Sequence, residues 1–344
     1  MRLVTFIQNF INIADRKIFS TTSTILNSLK GYKLNQIRPY FYMGLMLLLF
    51  SCKGGTKNEI RETTTRGNII ISVDESFQPL IETEVYTFTQ LYTNANIKAQ
   101  YKPEYDVIND LVNDSVKVIV TSKKLTDDQI KYLRDTLVVA RTTTFAYDAL
   151  ALITNKENND TLIKYNDIKN IFLGKILKWK DLNSKSKLNN IRVIFDNTKS
   201  GNIRYFKDQF ELKDTLPGNF FAVKNNQEVF DFVSRNPDAL GIISVNWISD
   251  KDDSLSMSFS NKINVVAVSQ AFFDDDYYYR PKQGSIYDKS YPFVREIYFI
   301  SRETFKGLGS GFIQWATAEQ GQRIVLKSGL VPATMPIRLV QISK

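Results

Sequence analysis

The sequence predicts an α/β protein of two lobes, each a mainly parallel sheet flanked by helices, with a ligand cleft between them. Three observations carry this. Short apolar runs of buried-strand length alternate with helically spaced segments from residue 67 onward, the order that builds a sheet covered by helices. The chain has 344 residues, 43% hydrophobic and 24% charged, a globular composition with length enough for two lobes. Ser76, Ser122 and Ser200 each fall where a predicted strand meets a helix, and in open α/β sheets the ligand crevice lies at such junctions.

Taken in order, NIIISV at 68–73 is a continuous apolar strand, and Phe77, Leu80, Ile81, Val85, Phe88 and Leu91 keep helical spacing after it. Ser76 is the expected N-cap, with Pro79 tolerated in the first turn. Strand 97–101, helix 107–112 and strand 116–120 follow. Thr126-Asp127-Asp128-Gln129 has capping-box form and opens a short helix to about residue 134. Beyond it, YDALALIT reads as a strand, YNDIKNIFLG as a helix closed by Gly174, IRVIF as a strand, and NQEVFDFVSRN as a helix leading into the strand LGIISV. GLGSGF at 307–312 matches neither the dinucleotide fingerprint nor the P-loop, and reads as a turn before a helix around 313–325. Trp179, Trp247 and Trp315 lie in apolar settings and read as core.

Composition removes several functions. There is no histidine, so a Ser-His-Asp triad and His-ligated zinc are excluded. The formal charge of +9 is uneven: residues 1–51 hold six basic residues against Asp15 alone, which leaves a surplus of four for the rest. No basic stripe is present, and no nucleic-acid partner is expected.

The single cysteine, Cys52, closes an apolar run from about Tyr40 to Phe50 that follows Lys33 and Arg38. The run is too short to span a bilayer and has the order of a secretory signal. Leu49-Phe50-Ser51-Cys52 resembles the lipobox of bacterial lipoproteins, although Phe50 departs from the usual pattern. The resemblance implies a signal region at 1–51, lipidation of Cys52 and a polar tether at 52–66. The alternative is a buried free cysteine ending a core segment. The stretch before Lys33 is long for a signal, and reads either as an extension or as an overlong start.

From residue 67 to about 335 the chain resembles the PstS-like phosphate-binding proteins of ABC importers, which have the periplasmic-binding-protein type II fold. The most specific match is YNDIKNIFLGKILKWKDLN at 165–183, and TSKKLTDDQI, KSGN, PDALGIISV, YPFVREIYFI and AEQGQRIVLKSGLVPA follow in family order. The resemblance carries the anion cradle to Ser76-Phe77, Ser122-Lys123 and Ser200-Gly201-Asn202. Two departures stand out. Asp196 occupies the position of the family's arginine, four residues before the serine, and Pro103-Glu104-Tyr105-Asp106 replaces a Gly-Ser-rich loop.

An aspartate in place of a permanently charged guanidinium repels an oxyanion unless the ligand brings a proton. Asp196 or Glu104 would then accept a proton from monohydrogen phosphate, and the helix N-termini, the hydroxyls and Lys123 would hold the other oxygens. The alternative is that Asp196 faces solvent or caps the following turn. Asp74, Glu75, Glu104, Asp106 and Asp196, if several face inward, suit instead a cationic or hydroxyl-rich ligand or a hard metal ion. DDDYYYR at 274–280 reads as a solvated loop, with calcium or a protein partner as the other use.

The expected protein is thus a lipid-anchored, monomeric solute-binding protein of the cell envelope, facing periplasm or exterior. It delivers a small oxyanion, phosphate first, to ABC permease subunits, with no catalysis and no cofactor. The expected lobes are 67–147 with 246–344, and 148–245, linked by strands near 146–150 and 243–247. The rival is a surface adaptor of the same fold that has lost phosphate and meets a protein, glycan or cationic ligand.

Overall fold

In the computed structural model, residues 62–336 are described except 213–214, 251, 253 and 272–276. The expected signal region, Cys52 and the acidic start of DDDYYYR lie outside the described residues.

β1 (Gly67–Asp74) lies between β2 (Ala95–Lys102) and β3 (Val118–Thr121), all parallel. Its C-terminal half is buried, as expected of a strand whose two faces are covered. β4 (Arg141–Asn155) is shared by both halves of the molecule: up to Ala149 it pairs antiparallel with β12 (Val294–Ser301), and from Leu150 with β8 (Ala239–Ser244). β6 (Arg192–Phe195) and β7 (Phe220–Ala222) extend the sheet in parallel beyond β8. The path is β2-β1-β3-β12-β4-β8-β6-β7, with β9 (Ile263–Val265) and β13 (Val331–Pro332) joining β4. β5 (Leu162–Ile163), β10 (Ala267–Ser269) and β11 (Tyr278–Tyr279) form a small second sheet. This is the two-lobed α/β architecture that the alternation predicts.

The longer helices are α1 (Gln78–Leu91), α2 (Glu104–Val112), α3 (Asp127–Asp135), α4 (Tyr165–Phe172), α5 (Gly201–Gln209), α6 (Asn226–Arg235), α7 (Leu308–Ala316) and α8 (Glu319–Lys327). α3 opens on the expected capping box of Thr126 and Gln129, and α4 is followed by Gly174 at φ 71°.

Two expectations need correction. Ser76 is not the N-cap of α1: it sits inside a 3₁₀ turn (Glu75–Phe77) capped by Asp74, and Phe77 precedes the helix. The acid outcompetes the serine because it stands one residue before the turn and accepts the Ser76 N–H at 3.0 Å. The helix expected at 313–325 is two helices, and GLGSGF supplies the first turns of α7 rather than a turn ahead of it. Carboxylates make that early start possible. Glu303 accepts from Gly309 N–H at 3.1 Å and Ser310 N–H at 2.6 Å, and Glu62 accepts from Leu308 N–H at 2.8 Å. The chain at Thr64 crosses α7 so closely that a Cβ at Gly311 would lie 1.8 Å from the Thr64 carbonyl oxygen.

Trp179, Trp247 and Trp315 are all buried, as expected. Phe206 and Phe210 on α5 pack on Phe172 and Phe293, with ring centroids 4.6 to 6.1 Å apart. Each such pair contributes about 0.5–1.5 kcal/mol beyond area burial, and together they fix the direction in which the N-terminus of α5 points. No helix among the described residues is long and apolar enough to cross a membrane.

Candidate functional site

Three strand ends meet at the N-terminus of α5. β1 delivers Asp74, Glu75 and Ser76; β3 delivers Thr121 and Ser122; β6 delivers Asp196 and the turn to Ser200. Ser200 caps α5, accepting the Asn202 N–H at 2.9 Å, and its hydroxyl donates to Asp196 Oδ1 at 2.5 Å. Asn202 Nδ2 donates to Asp196 Oδ2 at 3.2 Å, and Asn226 Nδ2 to the same oxygen at 3.4 Å. Asp196 is therefore buried and holds the turn, so the solvent-facing alternative is removed. Across the cleft, Ser76 Oγ donates to Asn202 Oδ1 at 3.1 Å.

The centre of the cradle holds an acid. Glu104, the first residue of α2, is only 2% exposed. Its Oε1 accepts from Ser122 Oγ at 2.6 Å, Thr121 Oγ1 at 3.1 Å, Ser122 N–H at 3.2 Å and Arg204 Nη2 at 3.3 Å, while Arg204 Nε donates to Oε2. Burial opposes ionisation of Glu104, but the Arg204 charge and its hydrogen bonds outweigh it, and the carboxyl titrates below its ordinary range. A Cβ on Gly201 would stand 2.7 Å from Asp74 Oδ2 and 2.9 Å from Glu104 Oε1. Two carboxylates thus converge on the first turn of α5, where unpaired N–H groups and the helix dipole favour negative charge.

The other acids are held differently. Asp74 is pushed up to about 7, first by burial and then by Glu104. Glu75 is pushed up to about 8 by burial, Asp196 and Asp74, and Asp196 is raised chiefly by burial. Near neutral pH Asp74 is therefore about half protonated and Glu75 mostly so, and either can donate as well as accept.

Arg295 of β12 brings a positive charge into the floor of the same cluster. Its Nε donates to Asp148 Oδ2 at 2.9 Å, and its guanidinium lies 4.8 Å over the Phe77 ring, both groups buried. Nη1 and Nη2 have no partner among the described protein groups, and neither do Asp74 Oδ2 and Asn246 Oδ1. Its charge acts on Asp74, Glu104 and Asp196 together.

The predicted residues Ser76, Ser122, Asp196, Ser200, Gly201 and Asn202 thus come together, and Phe77 lies beneath Arg295. Lys123 stands at the edge of the group: it lines a rim cavity of about 330 Å³ together with Ser200, Glu104, Lys199, Arg204 and Lys207. Sequence reading missed Arg204, Arg295, Asp148 and Asn226. Arg204 had a signal, since it stands one helical turn after Ser200, and Arg295 lies within the matched YPFVREIYFI. Among the described residues no group of three or more acids and cysteines has the arrangement to hold a metal ion.

Comparison with known proteins gives the same fold. The PBP superfamily domain matches residues 59–320. The phosphate-binding protein PstS of Borreliella burgdorferi is 22% identical over 298 residues, 83% of this chain and 94% of that one. PstS of Staphylococcus aureus is 22% identical over 285 residues, covering 81% and 83%. A Clostridium perfringens protein crystallised with bound phosphate superposes with a TM-score of 0.66 at 22% identity, over 78% of this chain and all of the other. An ABC-type phosphate transport receptor from Vibrio cholerae gives 0.59 at 18%, over 77% of this chain and all of its own.

Proposed function

The chain belongs to the PBP superfamily, and on that premise we propose that it is a solute-binding protein that closes two lobes over a small oxyanion, phosphate, and presents it to an ABC importer. One observation carries the reading. Hydroxyls and backbone N–H groups from three strand ends, with the N-terminus of α5 and two arginines, converge where the lobes meet. The names of the relatives favour phosphate over an adaptor role. The chain performs no catalysis in this reading and acts as a monomer.

The lobes proposed are 67–147 with 246–344, and 148–245. The exchange of partners along β4, from β12 to β8 at Ala149 and Leu150, supports the division. Residues 263–269 cross to pair with β4 and β5 on the second side. Lipidation at Cys52, with the protein held at the cell envelope, completes the proposal. It rests on the apolar run before that cysteine and the polar stretch after it.

Isothermal titration of the chain lacking residues 1–51 tests the cargo. Phosphate should give saturable heat and sulfate far less. A folded protein that gives none with phosphate removes the assignment.

A further inference from the structure

Glu104 occupies the place an oxyanion needs. One carboxylate oxygen gathers two hydroxyls, a backbone N–H and a guanidinium N–H, and the carboxyl carbon lies 2.9 Å from where a Cβ on Gly201 would be. These are the donors a bound phosphate oxygen would take: the hydroxyls and the N–H come from the end of β3, and the guanidinium from α5. The carboxylate also spans the cleft, because Glu104 opens α2 on one side and Arg204 belongs to α5 on the other. Two neighbouring links repeat the span: Lys199 Nζ to Asp106 Oδ1 at 2.9 Å, and Tyr105 N–H to the Lys199 carbonyl at 3.3 Å.

We propose that Glu104 is an internal ligand of the oxyanion seat, a carboxylate of the chain itself that holds the cleft closed without cargo and must leave for cargo to enter. The idea rests on the preceding reading only in taking the seat to be one for oxyanions. A carboxylate and a phosphate oxygen compete for the same N–H and O–H groups, and both cannot accept from them at once. The exit is short. The rim cavity of about 330 Å³ is lined by Glu104 itself together with Lys123, Lys199, Arg204 and Lys207 against one acid, Asp208, so a carboxylate that swings outward meets an excess of positive charge. Apparent affinity for cargo then equals the intrinsic affinity reduced by the fraction of molecules whose seat is vacated.

Two substitutions separate occupancy from charge. Glu104→Ala empties the seat and removes a negative charge; Glu104→Gln removes the charge and leaves a side chain of the same size in place. With inorganic phosphate in isothermal titration, Glu104→Ala should bind at least about tenfold more tightly than the unmodified chain, and Glu104→Gln should fall well short of that gain. Glu104→Ser replaces the alanine variant if melting shows that alanine loosens the fold. Equal tightening in the alanine and glutamine variants would mean that only charge was relieved, and would overturn the proposal. Unchanged or weaker binding in the emptied variant, with the unmodified chain binding phosphate, overturns it too and leaves the phosphate reading intact. Binding by the emptied variant alone supports the internal ligand and removes phosphate as the natural cargo. Folded variants and unmodified protein that all ignore phosphate and sulfate remove both.

Discussion

Arg295 Nε and Asp148 Oδ2 lie 2.9 Å apart in the floor of the cleft, and the terminal nitrogens of the arginine have no partner among the described residues. The pair is almost fully enclosed, so each charge depends on the other. Removing one member of such a pair typically costs about 3–5 kcal/mol, because the survivor stays buried and unpaired. Arg295→Gln should therefore lower the melting temperature strongly and abolish phosphate binding. Arg295→Lys should recover part of the stability but little of the affinity, since an ammonium cannot bond Asp148 and present two further N–H groups in one plane. Melting curves and calorimetry on both variants check this, and full affinity in Arg295→Lys would dismiss the role of the planar fork.

Gly201 meets Asp74 and Glu104 at the first turn of α5 with no room for a methyl group. In Gly201→Ala the lobes can relieve the contact by separating, whereas closure cannot. Phosphate affinity should drop by at least about tenfold, while the melting temperature of the unliganded protein moves little. Small-angle scattering should show a more open particle. An unchanged scattering profile would place the tight contact elsewhere.

The raised carboxyls of Asp74, near 7, and Glu75, near 8, give binding a pH dependence. Below those values the groups are neutral and donate; above them they repel an anion. Phosphate should bind more tightly near about pH 6 than near about pH 8.5. Stability follows the same sign, because a folded-state pKa above the unfolded value favours the fold at low pH, and the benefit is lost as pH climbs out of the ordinary carboxyl range, where the unfolded groups ionise, up to about 7 and 8. Asp74→Asn should flatten the profile, since Oδ1 keeps its Ser76 N–H bond while Oδ2, which has no partner, is the atom replaced by the amide. An unaltered profile in that variant would assign the dependence to the other acids.

Glu84 on α1 is fully buried, and neither carboxylate oxygen has a partner among the described residues. Burial holds its pKa well above the ordinary value, so the fold keeps it neutral and loses stability as pH rises out of the ordinary carboxyl range. Glu84→Met, similar in length and apolar, should stabilise by about 1–3 kcal/mol at alkaline pH and by less in acid. Urea denaturation at the two pH values reads the difference directly.

Cys52→Ser should yield a precursor that incorporates no labelled fatty acid, if the lipobox resemblance holds. Label in that variant would remove the anchoring proposal.

Much of this architecture is legible in the residues. β1, β8, α4 and α6 announce themselves by unbroken apolar runs or by helical spacing with a cap and a glycine. Ser200 and Gly201 are legible as a helix mouth because the apolar face of Ile203, Phe206 and Phe210 follows them. Glu104 is legible only as one of several acids near the cleft mouth, and it is the approach of Thr121, Ser122 and Arg204 from distant segments that makes it the centre of the cradle. Arg295 is hidden for the same reason. Its alternation on β12 says that it faces inward, but not that Asp148 awaits it. The split between α7 and α8 escapes periodicity because both helices are apolar on one side, and the break at Thr317 and Ala318 is held by side-chain donors: Gln322 Nε2 donates to the Ala316 carbonyl at 3.0 Å and Thr334 Oγ1 to the Thr317 carbonyl at 2.7 Å.

Glu62 bonded to Leu308, with Thr64 laid across Gly311, has a mechanical meaning. These residues stand just before β1, whereas Asp74 ends it, and eight residues of strand span roughly 25 Å. Tension drawn through the segment ahead of residue 62 is therefore taken up by α7, at the end of the strand opposite the carboxylates. The chain is clamped at the end of β1 remote from the cradle, so the two ends of that strand are held by different partners.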